Sequence, residues 1–154
     1  MASCERGYQM TLSWVPYRGG PLPDRAIEAG DGVYVCRAKH EGEMIPGKFV
    51  SCYNTAYTAY GGIEHKKQHF EFLCDSAVGD IQSHQWKPDS DGKTHHHTVV
   101  GGITVNGRPS YIARTSIDGE IVVGRVLEEH GCASFPYGGR EVRKRHYEVL
   151  IWEK

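Results

Sequence analysis

At 154 residues, 39% of them hydrophobic, the chain is long enough to bury a real core, and with a formal net charge of −1 and a pI near 6.7 it carries no global basic field for phosphate backbones or anionic lipid. No window approaches the run of about 18 apolar residues that a membrane span needs. Met1 to Leu12 has no apolar secretory core, and the five cysteines form an odd set without a C-x-x-C pair, so free thiols are expected, in the cytoplasm or after export without a classical signal peptide.

Taken in order, the chain reads as short alternating runs with almost no 3.6-residue stripe. Thr11–Val15 alternates around Trp14, Val33–Ala38 is rich in strand formers, and His69–Leu73 alternates cleanly. Glu43-Met44-Ile45-Pro46-Gly47-Lys48 reads as a Pro-Gly turn carrying a carboxylate and an ammonium. Residues 75–85 join the halves without low complexity. Later strands are expected at Ser110–Arg114, Ile121–Leu127 and His146–Trp152, with Arg140–Arg145 as a solvated basic turn. Nineteen glycines and seven prolines punctuate these runs at the spacing of a sheet protein with tight turns.

The later strands repeat the earlier ones. Tyr34 matches Tyr111, Arg37 Arg114, Glu43 Glu120, Gly47 Gly124, Tyr60-Gly61-Gly62 Tyr137-Gly138-Gly139, and Glu64, Glu71 and Leu73 match Glu141, Glu148 and Leu150, always 77 residues on and without a gap. Fourteen of the forty positions in 34–73 and 111–150 are identical, far above the roughly one in sixteen of unrelated segments. The chain is a tandem duplication, divided here into repeats at 11–78 and 79–154. One repeat alone would leave too much surface exposed, so an all-β, pseudo-twofold, sandwich-like body is expected, with strand exchange between repeats left open. The entry segments differ, since Trp14 precedes Tyr34 by 20 residues and Trp86 precedes Tyr111 by 25.

Asp31, on the loop before the strand at Tyr34, could converge with Glu43 and Lys48 at one rim. Read alone, these residues make either a sugar-diol clamp of charge-assisted hydrogen bonds or an exposed ion pair beside a turn-forming aspartate. Glu64 and Glu141 are read as acids that satisfy turn amides or an arginine such as Arg37 or Arg114. Asp89-Ser90-Asp91-Gly92 and His95-His96-His97 lack metal-ligand spacing and read as a turn and a polar loop, so no metal or cofactor is expected. Cys36 and Cys74 lie in apolar runs without a base beside them, and no nucleophile elbow or nucleotide fingerprint occurs, so the chain is read as not an enzyme.

The pattern Trp14-x8-Pro23-Asp24-x-Ala26-Ile27-x-Ala29-Gly30, then Tyr34-Val35-Cys36-Arg37-Ala38, Gly42-Glu43-Met44, Pro46-Gly47-Lys48, Gly61-Gly62-x-Glu64-His65 and Phe70-Glu71-Phe72-Leu73, resembles a DM9 repeat. With the second copy the resemblance covers nearly the whole chain, closest in layout to the two-repeat DM9 lectins of molluscs. It implies an all-β homodimer that binds mannose-type glycans in innate recognition through Asp31 and Lys48, with Glu43 beside them. Thr104, Glu120 and Arg125 take the corresponding places in a weaker second site. Asp31 is only three residues before Tyr34, a shorter loop than the family's, and Thr104 and Arg125 replace the family's aspartate and lysine. That departure keeps a second reading in view, a protein-interaction or structural module that has lost its sugar.

Overall fold

A computed structural model describes residues 2–4, 7–9, 11–77 and 82–153. The expected 78/79 boundary lies outside the described residues. A short hairpin pairs β1 (Ala2–Cys4) with β2 (Gly7–Gln9). The first repeat then contributes β3 (Leu12–Pro16), β4 (Glu28–Gly30), β5 (Val33–His40), β6 (Glu43–Val50), β7 (Thr55–Tyr60), β8 (Ile63–Lys67) and β9 (Glu71–Asp75). The second contributes β10 (His84–Ser90), β11 (Val100–Ile103), β12 (Pro109–Ile117), β13 (Glu120–Leu127), β14 (Cys132–Tyr137), β15 (Arg140–Lys144) and β16 (His146–Trp152). Among the described residues no helix is long and apolar enough to cross a membrane.

Each repeat is a meander whose hairpins are pinned by residues with positive φ. Glu41-Gly42, Gly61-Gly62, Asp118-Gly119 and Gly138-Gly139 all adopt the paired left-handed geometry of tight two-residue turns. The two meanders join edge to edge into one sheet. β8 meets β15 at Ile63↔Arg140, and β11 bridges from β12 to β6 at Ile103↔Met44, so β6, β11, β12, β13, β14, β15, β8 and β7 form a closed ring of eight strands. β5, β9 and β3 extend outward from β6, and β16 and β10 from β12.

The β8–β15 seam is reciprocal. Glu64 N donates to Gly139 O and Glu141 N to Gly62 O, while Gly139 N donates to Glu64 Oε1 and Gly62 N to Glu141 Oε1, the last two at 3.0 Å. Both glutamates therefore satisfy turn amides as expected, but each serves the other repeat. Arg37 and Arg114 instead pair with Glu71 and Glu148 and lie over Trp14 and Trp86, 4.2 and 4.6 Å from the ring centroids.

The core follows from the alternation. Leu12, Val35, Leu73, Ile112, Val123 and Leu150 from both repeats share one buried cluster, with a flanking cluster in each repeat around Phe49/Phe72 and Phe135/Val149. A shared cluster makes the repeats one folding unit, since burial at about 25 cal/mol per Å² is obtained only when both are present. Cys36, Cys74 and Cys132 are buried free thiols, and burial pushes the Cys36 and Cys74 thiols up.

Two segments differ from the sequence expectation. Glu43–Val50 is an uninterrupted strand and not a Pro-Gly turn. Pro46 is tolerated because β6 pairs with β11 at Met44 and with β7 from Lys48 onward, leaving no partner on that edge at Pro46 to miss its N–H. Gly47 is required there for a different reason: a Cβ would stand 2.1 Å from Tyr57 O, and at the equivalent Gly124 2.0 Å from Ser134 O. The basic run is strand β15, carrying half of the seam, followed by Arg145.

Candidate functional site

The entry loops decide what stands at the two rims. In the first repeat the Asp31-Gly32 turn between β4 and β5, with φ of 51° and 74°, is short, and β4 pairs only with β5. It leans on the other repeat: Ala29 O accepts from Arg114 Nη1 at 2.9 Å, and Gly30 lies against the Ile121 side chain. That contact brings Asp31 beside Glu120, the residue before Ile121. The longer second loop reaches across β6, where Gly102 is forced by the Met44 carbonyl and Val105 N donates to Glu43 Oε2 at 3.0 Å.

Two clefts result, each built from both repeats. The first, of about 490 Å³, is lined by Asp31 and Lys48 together with Glu120, Glu64, Tyr57 and Tyr137. Lys48 rises from β6 between Tyr57 and Tyr137, its Nζ 5.2 and 5.5 Å from their ring centroids, and is only 6% exposed. Its ammonium is 3.0 Å from Glu64 Oε2, a contact whose angles miss hydrogen-bond alignment. Asp31 and Glu120 are exposed at the mouth. Burial pushes the Tyr137 hydroxyl up, and the carboxylates of Glu120 and of Asp118, which it also hydrogen-bonds, push it further. The cleft thus presents two solvent-facing acceptors over a floor of one ammonium flanked by aromatic faces, an arrangement suited to a polyhydroxylated neutral ligand.

The second cleft, of about 500 Å³, holds Thr104 and Arg125 with Glu43, Tyr60 and Glu141. Here Arg125 Nη1 donates to Glu43 Oε1 at 2.9 Å, with 5% and 8% of the two residues exposed. Arg125 Nε is buried without a partner among the described residues. Thr104 Oγ1 accepts from Arg108 N and is almost fully buried. Arginine and acceptors are committed to one another, so this cleft offers a ligand far less than the first.

The expected grouping therefore needs one correction. Glu43 does not accompany Asp31 and Lys48, nor Glu120 accompany Thr104 and Arg125; the two glutamates are exchanged between the sites. On a strand, side chains five positions apart face opposite ways, so Glu43 and Lys48 could never share a rim. For the same reason they are no exposed ion pair. Tyr57 was missed because its counterpart is Ser134 and no repeat signal marks it; Tyr137 was visible only as part of the Tyr-Gly-Gly turn. His95 Nε2 lies 2.7 Å from Pro88 O and 3.6 Å from Asp89, and His97 packs on Trp152, which accounts for two members of the histidine triple. A further cleft, about 840 Å³, contains none of the six expected residues.

A family profile described as "DM9 repeat" matches residues 28–144, three quarters of the chain and both meanders. The chain belongs to the DM9 repeat family. Among curated proteins none matches it in sequence. Among solved structures it is similar to the nematode sperm cell motility protein MFP2B, with a TM-score of 0.64 and 15% identity over 92% of this chain and 47% of that one. This chain thus spans about half the length of MFP2B. At that identity the likeness establishes a shared fold and nothing about ligands.

Proposed function

We propose that this DM9 protein is a non-catalytic lectin for mannose-type glycans, acting in recognition of microbial or self surfaces. The observation that carries the reading is the convergence of Asp31, Lys48 and Glu120, contributed by both repeats, in one open cleft walled by Tyr57 and Tyr137. Carboxylates accept from vicinal hydroxyls, an ammonium donates to ring or hydroxyl oxygens, and tyrosine faces cover the apolar side of a pyranose. Affinity at one such shallow site is of millimolar order, about −4 kcal/mol, so useful strength comes from several sites presented together, consistent with a homodimer.

Calorimetric titration with mannose and with mannan tests the reading. Asp31→Asn and Glu120→Gln, both at the mouth, weaken binding of soluble mannose while leaving the melting temperature unchanged. Absence of mannan binding by the wild-type chain, or normal binding by both variants, refutes the site; the DM9 pair is then better read as a protein-interaction module. Amide shifts on titration are expected first around Gly30–Tyr34 and Gly119–Ile121, and only at higher mannose around Thr104 and Arg125.

A further inference from the structure

A further cleft, of about 840 Å³, lies between the end of β3, the outer half of β5 and the β8–β9 connection. It gathers Arg18, Arg37, Lys39, Lys66 and Lys67 against one carboxylate, Glu71, an excess of four positive charges in a chain whose whole net charge is −1. Glu71 is already engaged by Arg37 Nε at 2.6 Å. Lys67 Nζ donates to His40 Nδ1 at 2.9 Å, a neutral partner that leaves the charge uncompensated. Its ammonium and the neighbouring His65 add to burial in holding the His40 imidazole below its usual range, which keeps that acceptor neutral. Arg18, Lys39 and Lys66 are exposed, with no carboxylate within ion-pair distance among the described residues.

The duplication supplies an internal control. The equivalent cleft of the second repeat, about 420 Å³, is lined by Arg114, Ser116, His146 and Glu148 among others, and its only charged pair is the closed Arg114–Glu148 bridge. Lys39 has become Ser116, and Arg145, in the place of Gln68, is tied to Asp91 at 2.9 Å; Arg143 and Lys144 keep the charge of Lys66 and Lys67 but do not line this second cleft. The two repeats thus share cations at those two positions, and the first brings them together with Arg18 and Lys39 in one groove.

We propose that this first-repeat cleft is a separate binding site for a sulfated or otherwise acidic oligosaccharide. Four unmatched cations within one groove suit a ligand with several closely spaced anionic groups, which fork-shaped guanidinium and compact ammonium groups bind together. Nucleic acid is the poorer fit. The aromatic residues in the groove, Tyr17 and Phe70, are stacked on each other with centroids 5.3 Å apart and both abut Phe72, so they offer no free platform for bases, and four cations fall short of the phosphate contacts that hold a duplex.

The test is titration of the full chain with a size-defined heparin hexasaccharide, with its fully desulfated form, a single-stranded oligonucleotide of equal charge and inorganic phosphate as parallel arms. Binding is expected for the sulfated hexasaccharide alone at low micromolar to millimolar probe, weakening by about 50-fold between 50 and 200 mM salt if four cation–anion contacts form, at the slope of about −0.7 per contact of a single-stranded polyanion. Lys39→Glu/Lys66→Glu, and independently Arg18→Glu, abolish it at unchanged melting temperature and unchanged mannan binding, which separates this site from the lectin cleft. Equal or stronger binding of the oligonucleotide or phosphate, no binding at 50 mM salt, or a loss produced by Arg143→Glu/Lys144→Glu instead overturns the proposal.

Discussion

Replacing Glu43 by alanine is the sharpest test of how the two repeats are held together. Its carboxylate reaches Arg125 from a residue 82 positions away, with both partners more than nine-tenths buried. Removing one member of such a pair leaves the other charge desolvated and unmatched, at a cost of about 3–5 kcal/mol. The Val105 amide, which also loses its acceptor, adds little because Val105 is 68% exposed and water can replace the carboxylate. For a domain of this size roughly 2–4 °C accompany each kcal/mol, so the melting temperature falls by about 6–20 °C. Scanning calorimetry and urea unfolding measure it, and the double variant Glu43→Leu/Arg125→Met, which removes both charges, recovers most of the loss. Glu120→Ala at the matching position of the other repeat leaves the melting temperature unchanged, because that side chain is exposed at a cleft mouth. A cost for Glu43→Ala below about 1 kcal/mol, or equal effects at the two glutamates, refutes the reasoning.

Gly47→Ala and Gly124→Ala each place a methyl about 2 Å from a carbonyl oxygen of the adjoining strand and destabilise by about 3 kcal/mol, the upper end for overpacking; Gly61→Ala, with open space but φ of +62°, costs about 1 kcal/mol, and equal losses in urea midpoints speak against the close approach. Lys48→Ala weakens mannan binding and also lowers stability, since the ammonium is buried against Glu64 and two rings; a loss of binding with no change in melting temperature contradicts this packing. Burial raises the Asp75 carboxyl, but hydrogen bonds from His84, Ala77 and Ser83 outweigh it and hold the group below its usual range. Its stabilisation is thus present above the unfolded value near 3.9 and lost as pH falls through the lower folded value, so Asp75→Asn flattens the acid limb of a melting-temperature profile measured from pH 6 to 2. Neither half of the chain gives a cooperatively unfolding monomer, which circular dichroism with ultracentrifugation checks.

Strands were legible because alternation is local. Leu12–Pro16, Val33–His40, Glu120–Leu127 and His146–Trp152 all fall where the pattern of apolar residues places them. Ring closure was not, because it depends on two single pairings, Ile63↔Arg140 and Ile103↔Met44, between strands that no local alternation links. The site was half legible. Asp31 and Lys48 do line one cleft, but treating each repeat as a self-contained unit assigned Glu43 to the wrong rim, although its odd separation from Lys48 on a strand already excluded the pairing. The five extra residues before Tyr111 were visible too; that they would cross onto β6 and bury Glu43, leaving Glu120 open, required the three-dimensional path of the loop.

The reciprocal seam between β8 and β15 has a wider meaning. Ile63 pairs with its own counterpart Arg140, and each of the four hydrogen bonds between the Gly62-Glu64 and Gly139-Glu141 corners is answered by the same bond in reverse. Such self-complementarity is the mark of an isologous contact between two copies of one molecule. The seam thus has the pseudo-twofold form of an isologous contact, enclosed within a single polypeptide. Covalent linkage frees the two halves from having to stay identical, and that freedom is what lets one rim keep open carboxylates above a buried lysine while the other closes into an arginine–glutamate bridge.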